Sequence, residues 1–237
     1  MSDSVVIIPT YNEIENIEKI TREVLADDKA FHILVVDDNS PDKTAKKVKE
    51  LQNEFIERLH LLERPGKQGL GTAYIAGFDW ALSKNYDYIF EMDADFSHDP
   101  KDLTRLYNAC AKEGAALAIG SRYCKGGKVK NWPLTRVMMS YFASLYVRII
   151  LCSGIKDTTA GFKCYSADAL RKINYKIIPF KGYAFQISMK YGIQKHKLPI
   201  IEVPITFIDR TKGTSKMSSG IFKEALFGVW KMRKMKL

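Results

Sequence analysis

Short apolar runs alternate with amphipathic stretches through the first half of the chain, and this alternation restricts the fold more than any other feature. Val5–Ile8, His32–Val36, Leu59–Leu62, Tyr88–Met92 and Ala115–Ile119 read as strands. Between the first two, Glu13–Leu25 puts Ile14, Ile17, Ile20, Val24 and Leu25 on one helical face. Ser40-Pro41-Asp42 and Asp99-Pro100 read as helix starts, with proline at an early helical position. Gly69-Leu70-Gly71 opens a helix running to about Ser83. Strands apolar on both faces and separated by helices predict a mainly parallel central sheet with helices on both faces, an α/β fold. Further on, Leu134–Cys152 and Tyr183–Gln194 read as helices, 157–162 as a loop and Ile200–Ile208 as a strand. With 237 residues, the expected division is one domain over 1–218 and a basic amphipathic tail over 219–237.

In such sheets ligands bind beyond the carboxyl ends of the strands. Four polar clusters stand at that edge: Tyr11-Asn12-Glu13, Asp37-Asp38, Asp93 with Asp95, and Ser121-Arg122. Asp93 and Asp95 are two apart, so in extended chain their carboxylates converge. Two such charges ~4 Å apart repel by about 4 kcal/mol at an effective dielectric of 20. A divalent cation, Mg2+ or Mn2+, relieves that repulsion, and both take hard oxygen ligands. The alternative is a strand end and helix cap, but Asp99-Pro100 already supplies the helix start. Asp38 and Glu13 suit recognition of a base or of ribose hydroxyls. Arg122, Arg136, Arg210 and Lys216 lie in three segments and suit phosphate oxygens. His98 reads as a solvated turn residue.

Charge narrows the partners. Lys and Arg exceed Asp and Glu by 37 to 27. From Arg210 to Leu237 eight basic residues face one acid, Glu224, and Ser121–Ile150 holds six basic residues and no acid. Clustering favours a phosphate-rich partner: a nucleotide, nucleic acid or an anionic membrane surface. No helix-turn-helix or aromatic RNA-binding signature is present, so nucleic acid is not expected. The four cysteines make no C-x-x-C pair, which argues against a zinc site and for free thiols in a reducing compartment. No P-loop or dinucleotide fingerprint appears. The amino terminus runs straight into a strand, so no secretory signal is expected. The longest apolar run, Val137–Cys152, is interrupted by Arg148 and falls short of the ~18 residues of a spanning helix. Contact with a membrane is therefore expected at its surface, through Val137–Cys152 and Ile221–Lys236, rather than across it.

The chain resembles the polyprenyl- and dolichyl-phosphate mannosyltransferases, a branch of the family-2 inverting glycosyltransferases. The resemblance covers nearly the whole chain, through IIPTYNE (7–13), VVDDNSPDKT (35–44), GLGTAYIAGF (69–78), MDADFSH (92–98), GSRY (120–123), NWPLTR (131–136), DTTAGFKCY (157–165), GYAFQ (182–186) and EVPITFIDRTKGTSK (202–216). It implies a GT-A-type nucleotide-sugar-binding fold, GDP-mannose as donor, a polyprenyl phosphate lipid as acceptor, a divalent metal, and a cytoplasmic enzyme peripheral on the cytoplasmic face of a membrane. Carried over by position, Pro9, Tyr11, Glu13, Val36 and Asp38 would hold the guanosine. Asp93 and Asp95 would hold metal and diphosphate, with the Ala94 backbone alongside. Arg122, Arg136, Ser140, Arg210 and Lys216 would contact phosphates, and Asp95, Arg122 and Arg136 would carry catalysis. Ser97 stands where some members have a glutamine metal ligand, and Ser188 where a glutamate is expected. Alternatives are a UDP-glucose-type transferase on the same lipid class and an inactive nucleotide-binding partner subunit.

Overall fold

The computed structural model describes residues 2–209, 219–235 and 237, without the side chains of 219–223 and 225. Seven strands form the main sheet: β1 (Ser4–Thr10), β2 (His32–Asp37), β3 (Leu59–Glu63), β4 (Tyr88–Glu91), β5 (Leu117–Ser121), β7 (Lys163–Ser166) and β8 (Ile200–Pro204). Their order is β3-β2-β1-β4-β7-β5-β8. All neighbours are parallel except β7, which runs antiparallel to both β4 and β5. A parallel pair, β6 (Lys128–Lys130) with β9 (Thr206–Ile208), stands apart.

Strands β1, β2, β4 and β5 read as nearly unbroken apolar runs because both faces are covered. Val5, Ile7, Leu34, Val36 and Ile89 enter one core. Val6, Ile8, Ile33, Val35 and Phe90 enter the other. The alternation is the two-residue period of extended chain. Helices α1 (Ile17–Leu25), α2 (Thr44–Gln52) and α4 (Leu103–Ala111) close the second core. Helices α3 (Leu70–Ser83), α5 (Leu134–Leu151), α6 (Ala167–Lys172), α7 (Tyr183–Lys195) and α8 (Ser219–Met232) contribute to the first.

The helix expected from Ser40-Pro41-Asp42 begins only at Thr44, with Lys43 at φ 70° before it, and three further features differ from the sequence expectations. The helix expected from Glu13 begins at Ile17, because side chains hold the segment before it as a turn. Asn12 sits at φ 58°, Glu13 N donates to Thr44 Oγ1 and Ile14 N to Asp42. The strand expected over 200–208 is two strands, β8 and β9; between them Ile205 is buried and its amide donates to the Ser121 carbonyl. Finally, α5 begins at Leu134, so with 18 residues it is long and apolar enough, by length and composition, to cross a bilayer. The expectation that no run reaches that length is corrected; only about a sixth of α5 is buried against the rest of the chain.

The chain builds β1, β2 and β3 outward on one side, then returns to place β4 on the other side of β1. This reversal opens a crevice at the carboxyl ends of β1 and β4, where the loops after β1, β2, β4 and β5 converge.

Candidate active site

A cavity of about 350 Å³ fills the crevice. On one side it is walled by Pro9, Tyr11, Glu13 and Asp38. The two acids after β2 part company. Asp37 is fully buried and turned into the fold, accepting from Thr10 Oγ1, Ser40 N and Ser40 Oγ. Asp38 faces the cavity and is held by Arg64, whose Nε donates to Oδ1 at 2.6 Å. Arg64 Nη1 also reaches Thr72 Oγ1 at 2.9 Å, and Thr72 Oγ1 donates to the Gly69 carbonyl. Asp38 is thereby tied to the start of α3. The Lys67 ammonium lies 4.8 Å over the Tyr11 ring at the same rim.

Asp93, Ala94 and Asp95 form the floor. Asp99 accepts from Lys101 N and begins the 3-10 turn Pro100–Asp102, so helix capping is done without the pair. Ser97 is buried, and its Oγ and N both donate to Asp95 Oδ1, at 2.6 and 3.1 Å. It therefore orients Asp95. His98 is not a solvated turn residue: it is buried, stacked on Phe162 at 4.9 Å, and burial pushes it down to about 4, leaving a neutral ring. Beneath the floor lies a fully buried network. Glu91 meets Lys163 at 3.0 Å and accepts from Tyr165 Oη at 3.0 Å and Gln186 Nε2 at 2.7 Å, while Lys163 also contacts Gln186. Glu91 and Lys163 are cross-strand partners in the β4–β7 register, and Gln186 continues the network to the cavity wall.

The third wall carries the cations. Arg122 is buried and gripped by Asp157: Nε to Oδ2 at 2.7 Å, Nη2 to Oδ1 at 2.6 Å, and backbone N to Oδ2 at 2.9 Å. Nη2 also donates to Thr159 Oγ1. Burial pushes the Asp157 carboxyl up, but the Arg122 charge and hydrogen bonds outweigh it and hold it below the ordinary range. Arg136, a third exposed, pairs with Asp209 at 2.9 Å and stacks 4.1 Å over Trp132. Lys190 is buried, and its Nζ donates to the carbonyls of Thr158 and Ala160 at 3.0 and 2.6 Å. It pins the loop whose Thr159, Ala160 and Gly161 line the cavity.

Of the residues expected from sequence, Pro9, Tyr11, Glu13, Asp38, Asp93, Ala94, Asp95, Arg122 and Arg136 meet around this cavity. Val36 packs in the core, and Ser140 lies beside the Tyr123 hydroxyl; neither is among the lining residues. Arg210 and Lys216 lie outside the described residues. Ser188 is buried within α7 and donates to the Ala184 carbonyl. Arg64, Lys67, Lys190 and Lys181 were not foreseen. Arg64 had a signal, because it follows β3 as the other clusters follow their strands.

The profile of Glycosyl transferase family 2 matches residues 5–174. The chain belongs to glycosyl transferase family 2. It is a glycosyltransferase, and the resemblance drawn from its motifs holds. The chain is 47% identical over 232 residues to polyprenol monophosphomannose synthase of Mycolicibacterium smegmatis, covering 97% of this chain and 87% of that protein. It is 47% identical over 223 residues to undecaprenyl-phosphate mannosyltransferase of Micrococcus luteus, covering 94% and 90%. Dolichol-phosphate mannosyltransferase of Pyrococcus furiosus is 38% identical over 236 residues, covering 97% of this chain and 63% of that protein. Among solved structures, glucosyl-3-phosphoglycerate synthase from Mycobacterium tuberculosis, in complex with Mn2+, uridine diphosphate and phosphoglyceric acid, superposes with TM-score 0.73 at 16% identity, covering 99% of this chain and 79% of that one. The same enzyme with Mg2+ and uridine diphosphate gives 0.71 at 17% identity, covering 97% and 78%. These likenesses establish the GT-A-like fold of this family-2 enzyme.

The floor fits a divalent ion of the magnesium or manganese type. Its donors are two carboxylates, both hard oxygen ligands, and among the described residues no cluster of three His, Cys, Asp or Glu adds to them. Such ions commonly take one or two carboxylates and complete their shell with water and substrate phosphate.

Proposed function

We propose that this glycosyltransferase moves mannose from GDP-mannose to the phosphate of a polyprenyl lipid, with inversion at the sugar. The observation that carries the proposal is the opposition, across one cavity, of the carboxylate pair Asp93 and Asp95 to the cations Arg122 and Arg136. The names of the three relatives above support the acceptor and the sugar.

The chain's residues divide the work. Asp38, fixed by Arg64, offers a carboxylate oxygen to the base or ribose at the β1–β2 end. Asp93 and Asp95 would hold the metal against the donor diphosphate, with Ser97 setting the Asp95 carboxylate. A bound divalent ion would supply neutralisation of the charge that builds on the departing nucleoside diphosphate. Arg122 and Arg136 orient the acceptor phosphate. Arg122 is held in place by Asp157 and Thr159, so its position needs no rearrangement at the moment of reaction. Arg136 is a third exposed and is held by Asp209 and the Trp132 ring at the rim rather than in the interior, so it has more room than Arg122 to follow the acceptor. A phosphate monoester is largely ionised at neutral pH, its second pKa being about 6. It attacks without losing a proton, and no general base is required. Attack opposite the diphosphate converts an α-linked donor into a β-linked product.

We place the enzyme on the cytoplasmic face of a membrane. Leu134, Met138, Met139, Phe142 and Ile149 of α5 are exposed, as are Phe227 and Trp230 of α8. Apolar helix faces flanked by basic residues suit a bilayer surface carrying lipid phosphate.

Calorimetry with GDP, UDP and GDP-mannose, with and without Mn2+, tests the donor. Mn2+-dependent binding of GDP and GDP-mannose that exceeds UDP is expected. Preference for UDP would overturn the donor assignment and leave the fold-level reading in place.

A further inference from the structure

From Arg210 to the carboxyl end the chain carries one acid, Glu224, among eight basic residues. That acid is directed at backbone. Oε1 accepts from Lys181 N at 3.2 Å, and Oε2 accepts from Gly182 N at 3.3 Å. Gly182 is the residue that precedes α7. A carboxylate on α8 thus satisfies amides at the start of α7 and complements the positive end of that helix.

The Lys181 residue is gripped from its other side as well. Its carbonyl accepts from Gly71 N, in the first turn of α3, at 2.9 Å. Its aliphatic stem lies against Gly69, where an added Cβ would stand 2.9 Å from Lys181 Cβ. Gly69 also holds φ at 107°, a conformation that favours glycine. Gly69, Leu70, Lys181 and Gly182 all line the cavity. One carboxylate on the last helix therefore ties together two cavity walls that are more than a hundred residues apart in sequence.

The position of α8 is fixed in turn by α5. Trp230 Nε1 donates to the Tyr146 hydroxyl at 2.9 Å, and that hydroxyl donates to the Leu226 carbonyl at 2.9 Å. Val229 and Met232 seat the inner face of α8 in the core.

We propose that Glu224 is a positioning residue: it clamps the Lys181–Gly182 backbone, and through it the Gly69–Gly71 turn, and the docking of α8 on Tyr146 sets the clamp. Glu224 touches no reacting atom. Its effect on turnover rests on the transfer reading above, whereas the clamp itself does not.

The test uses the full chain as wild type, Glu224→Ala, Glu224→Gln, Tyr146→Phe and the Glu224→Ala/Tyr146→Phe double variant. Amide exchange and GDP affinity in Mn2+ are measured first, and neither needs an acceptor. Glu224→Ala is expected to speed exchange at Lys181 and Gly182 by about tenfold or more, as a locally released segment does. With GDP-mannose and polyprenyl phosphate, kcat/KM is expected to fall about tenfold, mainly through KM, as for lost uniform binding. Glu224→Gln keeps one acceptor oxygen and is expected to recover to within about threefold of wild type. Tyr146→Phe is expected to shift the same readouts in the same direction, and to add nothing in the Glu224→Ala background.

Unchanged exchange at Lys181 and Gly182 in Glu224→Ala would overturn the proposal. So would full multiplication of the two single effects in the double variant. If Glu224→Ala does not fold, Glu224→Gln and Tyr146→Phe decide the same question through exchange and KM. Altered exchange without any transfer from GDP-mannose would uphold the clamp and remove the transfer reading.

Discussion

Arg122 and Asp157 form a two-pronged pair inside the protein, at 2.7 and 2.6 Å, with Asp157 wholly buried and Arg122 barely exposed. The aspartate also receives the Arg122 backbone amide. This arrangement holds an arginine at the cavity wall while leaving no buried charge alone.

Removing one member strands the other. Asp157→Ala is expected to cost about 3–5 kcal/mol of folding stability, the usual penalty for breaking a buried pair. Urea denaturation at neutral pH measures it. The pH dependence follows from the depressed Asp157 carboxyl. A carboxyl lower in the folded than in the unfolded chain contributes stability above the unfolded value, about 3.9. That contribution is lost as pH falls through the folded value. Wild type should therefore lose stability more steeply than Asp157→Ala below about pH 4.

Asp95→Asn is expected to lower turnover by about 10²–10³-fold, the scale seen when one preorganised electrostatic group is lost. Ser97→Ala removes the 2.6 Å hydroxyl contact to Asp95 and leaves the amide contact. It should give a smaller loss and a raised Mn2+ requirement. Initial rates across a Mn2+ titration distinguish the two variants.

Asp38→Ala is expected to weaken GDP binding by about 1.5–3 kcal/mol, the value of a hydrogen bond to a charged group. Arg64→Met leaves Asp38 without its 2.6 Å partner and should weaken the same binding, although Arg64 is absent from the lining of the cavity. Calorimetry on both variants checks this pair.

Floating the protein on anionic vesicles examines the outer faces of α5 and α8. Wild type is expected to float, and less so at high salt, because screening shortens the reach of the basic residues. Replacing Met138, Phe142 and Phe227 together by serine is expected to release it without altering GDP affinity, since none of the three lines the cavity.

Much of this molecule was legible before its structure. Strands β1, β2, β4 and β5 stand out because each is buried on both faces, so composition alone marks them, while the half-buried edge strand β3 is marked by its three leucines. The edge rule then brought Tyr11, Asp38, Asp95 and Arg122 to one place. β7 was not legible. It is four residues, Lys163–Ser166, with a buried lysine whose partner, Glu91, lies on another strand. Nothing local announces a lysine that is neutralised across a sheet. Lys190 escapes for the same reason, since the Thr158 and Ala160 carbonyls it binds are distant in sequence, whereas Arg64 is marked by its place after β3 and only its partner, Asp38, is hidden. The hydrophobic spacing continues through Ile14 and so predicts helix in the turn before α1. Side chains from the α2 start override that spacing.

The most direct measurement is transfer itself: the enzyme, GDP-mannose labelled in the sugar, polyprenyl phosphate in detergent, and Mn2+, with the product's anomeric configuration read by NMR. The account predicts a β-linked mannosyl phosphate lipid, formed by wild type and lost with Asp95→Asn. An α-linked product, or equal transfer by Asp95→Asn, would contradict it.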